Sequence, residues 1–422
     1  MNQKSESKKV AVIGAGPSGT CVAKLLRDQG LQVSVFERSK FPRFSIGESL
    51  LPQCCSDLKE AGLLDQLDLD EFQFKNGASF LRNSERIDFD FSEKYSSGMD
   101  HAYQVKRAKF DKALADLVEE SGVEIRYEQQ INDVKIENSI VELTCVSLPD
   151  GKSYSEKFDY LVDASGFARV LPRLFSLEHP SDQEPRFSVF THLIDNNKTK
   201  MDRNKIQVVI NEKRKDIWYW LIPFQDGSIS VGVVGPLKDY DENYSEKENF
   251  YRFLEDSQDV KTAIQFKDWE NTGFKKILAY SSNVKKLYGE NYVLLGNAGE
   301  FIDPVFSSGV TIACRSASIA APLIARQLRG KKVDWEKEFS VELRRGIDVF
   351  KEFVSHWYTG VLADIFYANS SNPDIKKMIC SILAGYAWDI DNPLTKNTRR
   401  RLRALADWVK IDKQEPLSES HT

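Results

Sequence analysis

The segment Gly14-Ala15-Gly16-Pro17-Ser18-Gly19 constrains this chain more than any other. It spaces three glycines as GxGxxG, directly after the apolar run Lys9–Ile13. A run that is apolar on both faces reads as a strand of a covered, parallel sheet. Residues 21–27 follow with Val22, Leu25 and Leu26 at helical spacing, Gly30 ends that helix, and residues 32–37 form the next strand. In such a strand–turn–helix–strand unit each glycine has a task. Gly14 permits the tight turn, Gly16 lets the backbone approach a pyrophosphate, and Gly19 lets the helix pack on the sheet. Pro17 and Ser18 open the helix, whose N–H groups and dipole favour phosphate. Glu37 at the end of the second strand can accept hydrogen bonds from ribose hydroxyls and would repel a 2′-phosphate. A dinucleotide other than NADP is the expected occupant.

The rest of the chain is less repetitive. Residues 105–120 have helical periodicity and are followed by Gly122 and by a strand, 123–127, that returns to the first sheet. Residues 131–145 and 153–162 alternate like antiparallel strands. Residues 185–235 are rich in strand signals, with alternation at 206–210 and 217–233, and lack a βαβ rhythm, so they should build a separate sheet. A buried strand at 291–296, a loop and a helix at 310–329 come next, and 334–412 look largely helical. The expected class is α/β. A Rossmann-type domain of the glutathione-reductase and p-hydroxybenzoate-hydroxylase kind would comprise residues 1–75, 104–180 and 280–333. A mostly antiparallel substrate domain would be inserted at 76–103 and 181–279, with a C-terminal helical region at 334–412 and a disordered tail at 413–422.

Composition excludes several classes. With 41% hydrophobic and 29% charged residues and a net charge of -5, no basic surface suited to nucleic acid is expected. No apolar run approaches the about 18 residues of a membrane span. The polar N-terminus has no leader character, and a cytoplasmic location is expected. Six scattered cysteines, none in a CxxC pair, and five histidines give no metal site.

Four further segments resemble the FAD-dependent monooxygenase and flavin-dependent halogenase superfamily, which is related to the geranylgeranyl reductases. Val105-Lys106-Arg107 with Phe110-Asp111 is similar to its VxRxxFD segment, and the resemblance places Arg107 near the FAD phosphates. Asp163-Ala164-Ser165-Gly166 resembles the DASG turn beside the dinucleotide. Gly296-Asn297-Ala298 through Asp303-Pro304 resembles GDA…DP, with Asn297 where the family has a ribityl-binding aspartate; an amide still accepts a hydrogen bond, so weaker but retained FAD binding is expected. Pro42-Arg43-Phe44-Ser45-Ile46-Gly47-Glu48-Ser49 resembles the stretch that halogenases place beside the flavin ring. The implied FAD set is therefore Gly14, Gly16, Pro17, Ser18, Gly19, Glu37, Arg38, Arg43, Gly47, Glu48, Ser49, Arg107, Asp163, Ala164, Gly166, Gly296, Asn297, Asp303, Pro304, Ser308 and Gly309.

Two features resemble halogenases in particular. Trp218-Tyr219-Trp220-Leu221-Ile222-Pro223 matches WxWxIP; as a strand it puts Trp218, Trp220 and Ile222 on one face. The resemblance implies that these rings wall the flavin off from substrate. Lys75 matches the lysine that the family uses to hold hypohalous acid, and is the candidate catalytic residue; the alternative is a solvated lysine before an Asn-Gly turn. The start of the helix at Ser308 and Gly309 could hold halide or stabilise charge on the flavin. Phe306 stands where tryptophan-type relatives have glutamate, which implies a phenolic or pyrrolic substrate, free or carrier-bound. Only one GxGxxG unit is present, leaving transient NAD(P)H, a separate flavin reductase or the substrate as electron source. The alternative reading is an FAD-dependent dehydrogenase or reductase of the geranylgeranyl-reductase type. Trp357, Tyr358, Phe366, Tyr367, Tyr386 and Trp388 read as helix packing, and Arg399-Arg400-Arg401 as a solvated helix face rather than a carrier-docking site.

Overall fold

Val10, Ala11 and Val12 have no exposed surface, as a strand covered on both faces requires. In the computed structural model, which describes residues 7–194, 201–264, 272–368 and 372–414, they lie inside a six-stranded sheet. Its order is Tyr288–Gly289, Tyr292–Leu294, Tyr160–Asp163, Lys9–Ile13, Gln32–Phe36, Glu124–Arg126. All neighbours are parallel except the short edge pair Tyr288–Gly289 with Tyr292–Leu294. Register aligns the strand ends: Ile13 pairs with Phe36 and with Asp163, and Asp163 with Leu294. The segments that follow these residues therefore leave from one carboxyl edge. The strand order reverses there, which is where open α/β sheets bind ligands.

One expectation is corrected within this sheet. Residues 153–162 alternate in sequence, but only Ser153–Phe158 joins the antiparallel three-stranded sheet, with Ile140–Ser147 and Gln129–Glu137. Tyr160–Asp163 is buried at every position and pairs in parallel with Lys9–Ile13. The expectation about apolar runs is also corrected. Helix Ser308–Leu328 has 21 residues and an 18-residue stretch of mean hydropathy 1.3, enough to cross a membrane by length and composition alone. Most of that stretch is buried; the helix packs on Pro17–Asp28 and Pro52–Glu60, where Cys54 Sγ and Cys314 Sγ lie 3.8 Å apart.

These elements belong to a unit formed by Met1–Asp70, Val105–Asp182 and Ser281–Arg344. A second unit comprises Glu71–Gln104, Gln183–Tyr280 and the chain from Arg345, so the helices at 334–412 are divided between the two. The second unit is built on a seven-stranded sheet in which Trp218–Pro223 pairs with Ile229–Pro236 and Lys205–Ile210, and Gly77–Arg82 is parallel to Lys205–Ile210. Tyr219 and Leu221 point into a core with Phe187, Phe250, Phe253 and Leu254, the last three on helix Glu246–Glu255. A capping box of Ser245 and Glu248 starts that helix. Alternation leaves Trp218 and Trp220 for the opposite face. On helices Glu342–Tyr358 and Val361–Ala368, Trp357 and Phe366 pack against Phe80, as plain helix packing requires. The expected tail at 413–422 lies, from 415 onward, outside the described residues.

Candidate active site

The glycine turn is closed by contacts that only glycine allows. Gly14 has φ +94°, and its N–H donates to Phe36 O at 2.8 Å. A Cβ on Gly14 would lie 2.6 Å from Ala164 O, and one on Gly19 only 1.9 Å from Gly14 O. Helix Pro17–Asp28 begins on Gly16 with no side-chain cap and no acidic residue in its first turn. Its uncapped N–H end is thus available to an anion. Ser18 ties the turn to the long helix by donating from Oγ to Ala313 O at 3.0 Å. Glu37 is nearly buried, and each carboxylate oxygen accepts one backbone N–H, from Ala15 and from Ser39, both at 2.8 Å. The carboxylate holds the loop, and each oxygen keeps lone-pair capacity for a ribose hydroxyl. Arg38 is exposed beside it. Arg43 lies over the turn, with Nη2 3.5 Å from where a Gly16 Cβ would be, and pairs with Asp111 at 3.1 Å.

Three of the implied ligands have internal duties. Arg107 donates from Nε and Nη2 to both oxygens of Asp111, at 2.7 and 2.9 Å, and from Nη1 to the carbonyls of Ile46 and Gly47. Its guanidinium shapes the 43–49 segment. Asp163 has no exposed surface; its oxygens accept from Ser165 N at 2.9 Å and Leu171 N at 2.7 Å, and burial pushes its carboxyl above the usual range. It fixes the turn that brings Ala164 O against Gly14, while Gly166 at φ +60° continues the chain. Asp303 is 1% exposed and accepts from Val305 N at 3.1 Å, starting the turn Pro304–Phe306. All three, which the resemblance implies lie at the cofactor, also shape the segments around it.

The sequence reading missed two organising residues. Asp111 was quoted without a role, yet it grips both Arg43 and Arg107. Arg169, three residues after Gly166, is buried and donates to Asn297 O, Gly299 O, Asn283 O and Ser282 Oγ at 3.2, 3.1, 2.8 and 2.8 Å. It pins the Gly296–Ala298 turn, whose Gly296 has φ +52° and donates to Ser316 Oγ at 3.0 Å. The side chain of Asn297 is half-buried. A lone arginine after DASG was the available signal, but a buried arginine facing carbonyls cannot be told from a surface one by sequence.

The residues fit a flavin dinucleotide. Helix Ser308–Leu328 starts after Ser307 at φ +56° with no side-chain cap, and Gly309 is half-buried in its first turn. Glu48 is buried, and its carbonyl accepts from Val105 N at 2.7 Å. Among the described residues, the buried hydroxyls of Ser49, Ser308 and Thr311 have no hydrogen-bond partner. They lie on two segments that meet where Gly47 comes within contact of Val310. Unpaired buried hydroxyls call for a polar ligand edge.

The second unit carries the remaining candidates. Lys75, at the end of strand Gln73–Lys75, has no exposed surface, and its Nζ lies 5.4 Å from the centre of the Phe91 ring. The solvated-lysine alternative is thereby excluded. Trp218 and Trp220 are 2% and 5% exposed, with ring centres 6.0 Å apart. Trp218 donates from Nε1 to Tyr358 Oη at 2.8 Å, and Trp220 to Ser230 Oγ at 3.0 Å. The guanidinium of Arg186 lies 3.2 Å from the centre of the Tyr358 ring. Gly232 lies under Trp220, where a Cβ would be 2.2 Å from the indole.

Compared with known proteins, the chain matches the tryptophan halogenase family over residues 9–95 and 83–386. It belongs to that family. Among its relatives is a 1H-pyrrole-2-carbonyl-(peptidyl-carrier protein) chlorinase of Pseudomonas fluorescens, 27% identical over 403 residues, covering 89% of this chain and 88% of the relative. Another is the corresponding brominase of Pseudoalteromonas luteoviolacea, 25% identical over 92% of this chain and 94% of the relative. A solved flavoprotein/dehydrogenase from Cytophaga hutchinsonii is 40% identical over 97% of this chain and all of its own, with a TM-score of 0.91. This member of the halogenase family is an FAD-dependent oxidoreductase of the monooxygenase and halogenase type. The geranylgeranyl-reductase alternative is not supported.

Proposed function

We propose that this enzyme halogenates an electron-rich aromatic ring of phenol or pyrrole type, carried to it as a thioester on a carrier protein. The observation that carries the reading is the complete burial of Lys75. Lysine is among the residues least often fully buried, and its long stem normally lets the ammonium reach water. Taking that charge out of water costs several kcal/mol, and a buried ammonium held in a fixed place is suited to act on a bound small molecule rather than on solvent. Bound FAD, once reduced, supplies the activation of O₂.

The chain's own residues supply the rest. The bare amide groups at Ser308 and Gly309 offer an anion site suited to halide. Lys75 Nζ captures hypohalous acid and presents the electrophilic halogen to the ring. Trp218 and Trp220, each locked by an indole N–H bond, keep the substrate away from the flavin and so disfavour direct oxygen transfer. Phe306, buried two residues before Ser308, supports a substrate other than free tryptophan. The carrier-bound pyrroles named for the two bacterial relatives support tethering. In this reading a separate flavin reductase supplies the electrons, since the sequence has a single GxGxxG unit.

The test is turnover with reduced flavin, bromide or chloride, and resorcinol and pyrrole substrates, free and carrier-loaded, read by mass spectrometry. Lys75→Ala is expected to keep its FAD and lose halogenation by a factor of about a hundred to ten thousand. Undiminished halogenation in that variant would remove Lys75 from the mechanism.

A further inference from the structure

Helix Thr398–Gln414 opens with Arg399, Arg400 and Arg401, followed by Arg403, and all four are exposed, as is Lys396 just before it. As the sequence suggests, this is a solvated helix face. Arg399 pairs with Glu352 at 2.7 Å, but among the described residues Lys396, Arg400, Arg401 and Arg403 have no carboxylate within ion-pair distance. Arg401 makes only a main-chain bond, to Lys396 O at 3.0 Å. Four unpaired cations thus gather on one end of a helix in a chain whose net charge is -5.

Their placement works against the helix itself. Its first turn contains no acidic residue, and cations there oppose the macrodipole while repelling one another. Folding alone would favour Asp or Glu at these positions. Trp408, two turns along from Arg401, is 41% exposed, and an exposed Trp on a face with unpaired Arg is the composition of a protein-binding centre. Between this helix and Glu342–Tyr358 runs an open groove of about 640 Å³ whose charged lining is Arg345, Arg399, Arg400 and Arg403 with Asp348, Glu352 and Asp407.

We propose that this face docks the acidic surface of the carrier protein that delivers the substrate, with Arg400 and Arg403 pairing its carboxylates and Trp408 as the apolar anchor. The assignment rests on the tethered-substrate reading above. Charge complementarity selects an acidic protein surface rather than the uncharged thioester arm, which a basic helix end would not recognise.

The experiment compares two substrates with one acyl group: pyrrole-2-carbonyl on a peptidyl carrier protein, and the same group on N-acetylcysteamine. For Arg400→Glu/Arg403→Glu, KM for the loaded carrier is expected to rise about tenfold or more, with kcat nearly unchanged and a weaker dependence on salt. KM for the small thioester stays at the wild-type value, and Arg400→Lys/Arg403→Lys restores carrier affinity, which shows that the fold is intact. Binding of the dye-labelled loaded carrier is measured in parallel. Carrier turnover with an unchanged KM in the Glu variant overturns the docking face and leaves the tethered substrate standing. Arginine-dependent binding without halogenation upholds the docking face and overturns the substrate reading. Absence of both binding and turnover overturns the two together.

Discussion

Replacing Gly19 by alanine puts the account of the cofactor site under direct load. The new Cβ would sit 1.9 Å from Gly14 O, a separation that real Cβ atoms do not show, so one side must move by more than about 1 Å. Gly14 cannot retreat, because its own α-hydrogen side faces Ala164 O at a distance that already excludes a Cβ. Helix Pro17–Asp28 must therefore lift from the turn. Overpacking of this kind costs about 1–3 kcal/mol in stability. Losing one or two charge-assisted bonds from the loop to the diphosphate costs about 1.5–3 kcal/mol each, and each 1.4 kcal/mol is about tenfold in affinity. Titration of the apoprotein with FAD, followed by flavin fluorescence, is expected to show at least a tenfold weaker Kd for Gly19→Ala. The control is Gly30→Ala, just past the same helix. Gly30 has φ +81° but nothing within 4 Å of its missing Cβ, so that variant should lose some stability to backbone strain and keep its FAD affinity. Wild-type FAD affinity in Gly19→Ala would refute the argument that this turn holds the diphosphate.

Two more outcomes follow from buried groups. Gly232→Ala drives a methyl into the Trp220 indole, 2.2 Å away, and breaks its bond to Ser230; urea melts should show a loss of about 2–4 kcal/mol, and peroxide released per reduced flavin consumed should rise as the wall loosens. Burial raises the Asp57 carboxyl to about 7, against the pull of Arg315 and Gln53. The folded state then keeps a proton that the unfolded chain has lost, so this group takes away stability as pH rises from the ordinary carboxylate value to about 7, by about 1.4 kcal/mol per unit at most, and adds no further change above that. Asp57→Asn should flatten that slope in denaturant melts across the range; an unchanged slope would mean that Asp57 does not titrate there.

The glycine turn, both strands beside it and the helix starts were legible because each is written in local chemistry: apolar runs, glycines where a Cβ cannot fit, and a proline at the first helical position. The aromatic strand was legible because alternation alone separates Trp218 and Trp220 from Tyr219 and Leu221. Tyr160–Asp163 was misread because Phe158 and Tyr160 continue the alternation of the preceding strand, and periodicity says nothing about which sheet a strand joins. The intramolecular bonds of Arg107, Asp163 and Asp303 were hidden for a different reason. A motif records which residues recur around a ligand, while only the coordinates show which backbone groups and side chains they hold. Arg169 and Tyr358 act across more than 100 residues of sequence, on Asn297 and Trp218, and no local pattern announces such partners.

The central claim is that this family member transfers halogen, and not oxygen, to an aromatic ring. It is tested most directly by supplying reduced FAD, bromide and heavy-isotope dioxygen together to the wild-type enzyme with pyrrole-2-carbonyl thioester, and weighing the product. The account predicts a product with the bromine isotope doublet and no heavy oxygen. A product that carries heavy oxygen and no bromine would contradict it.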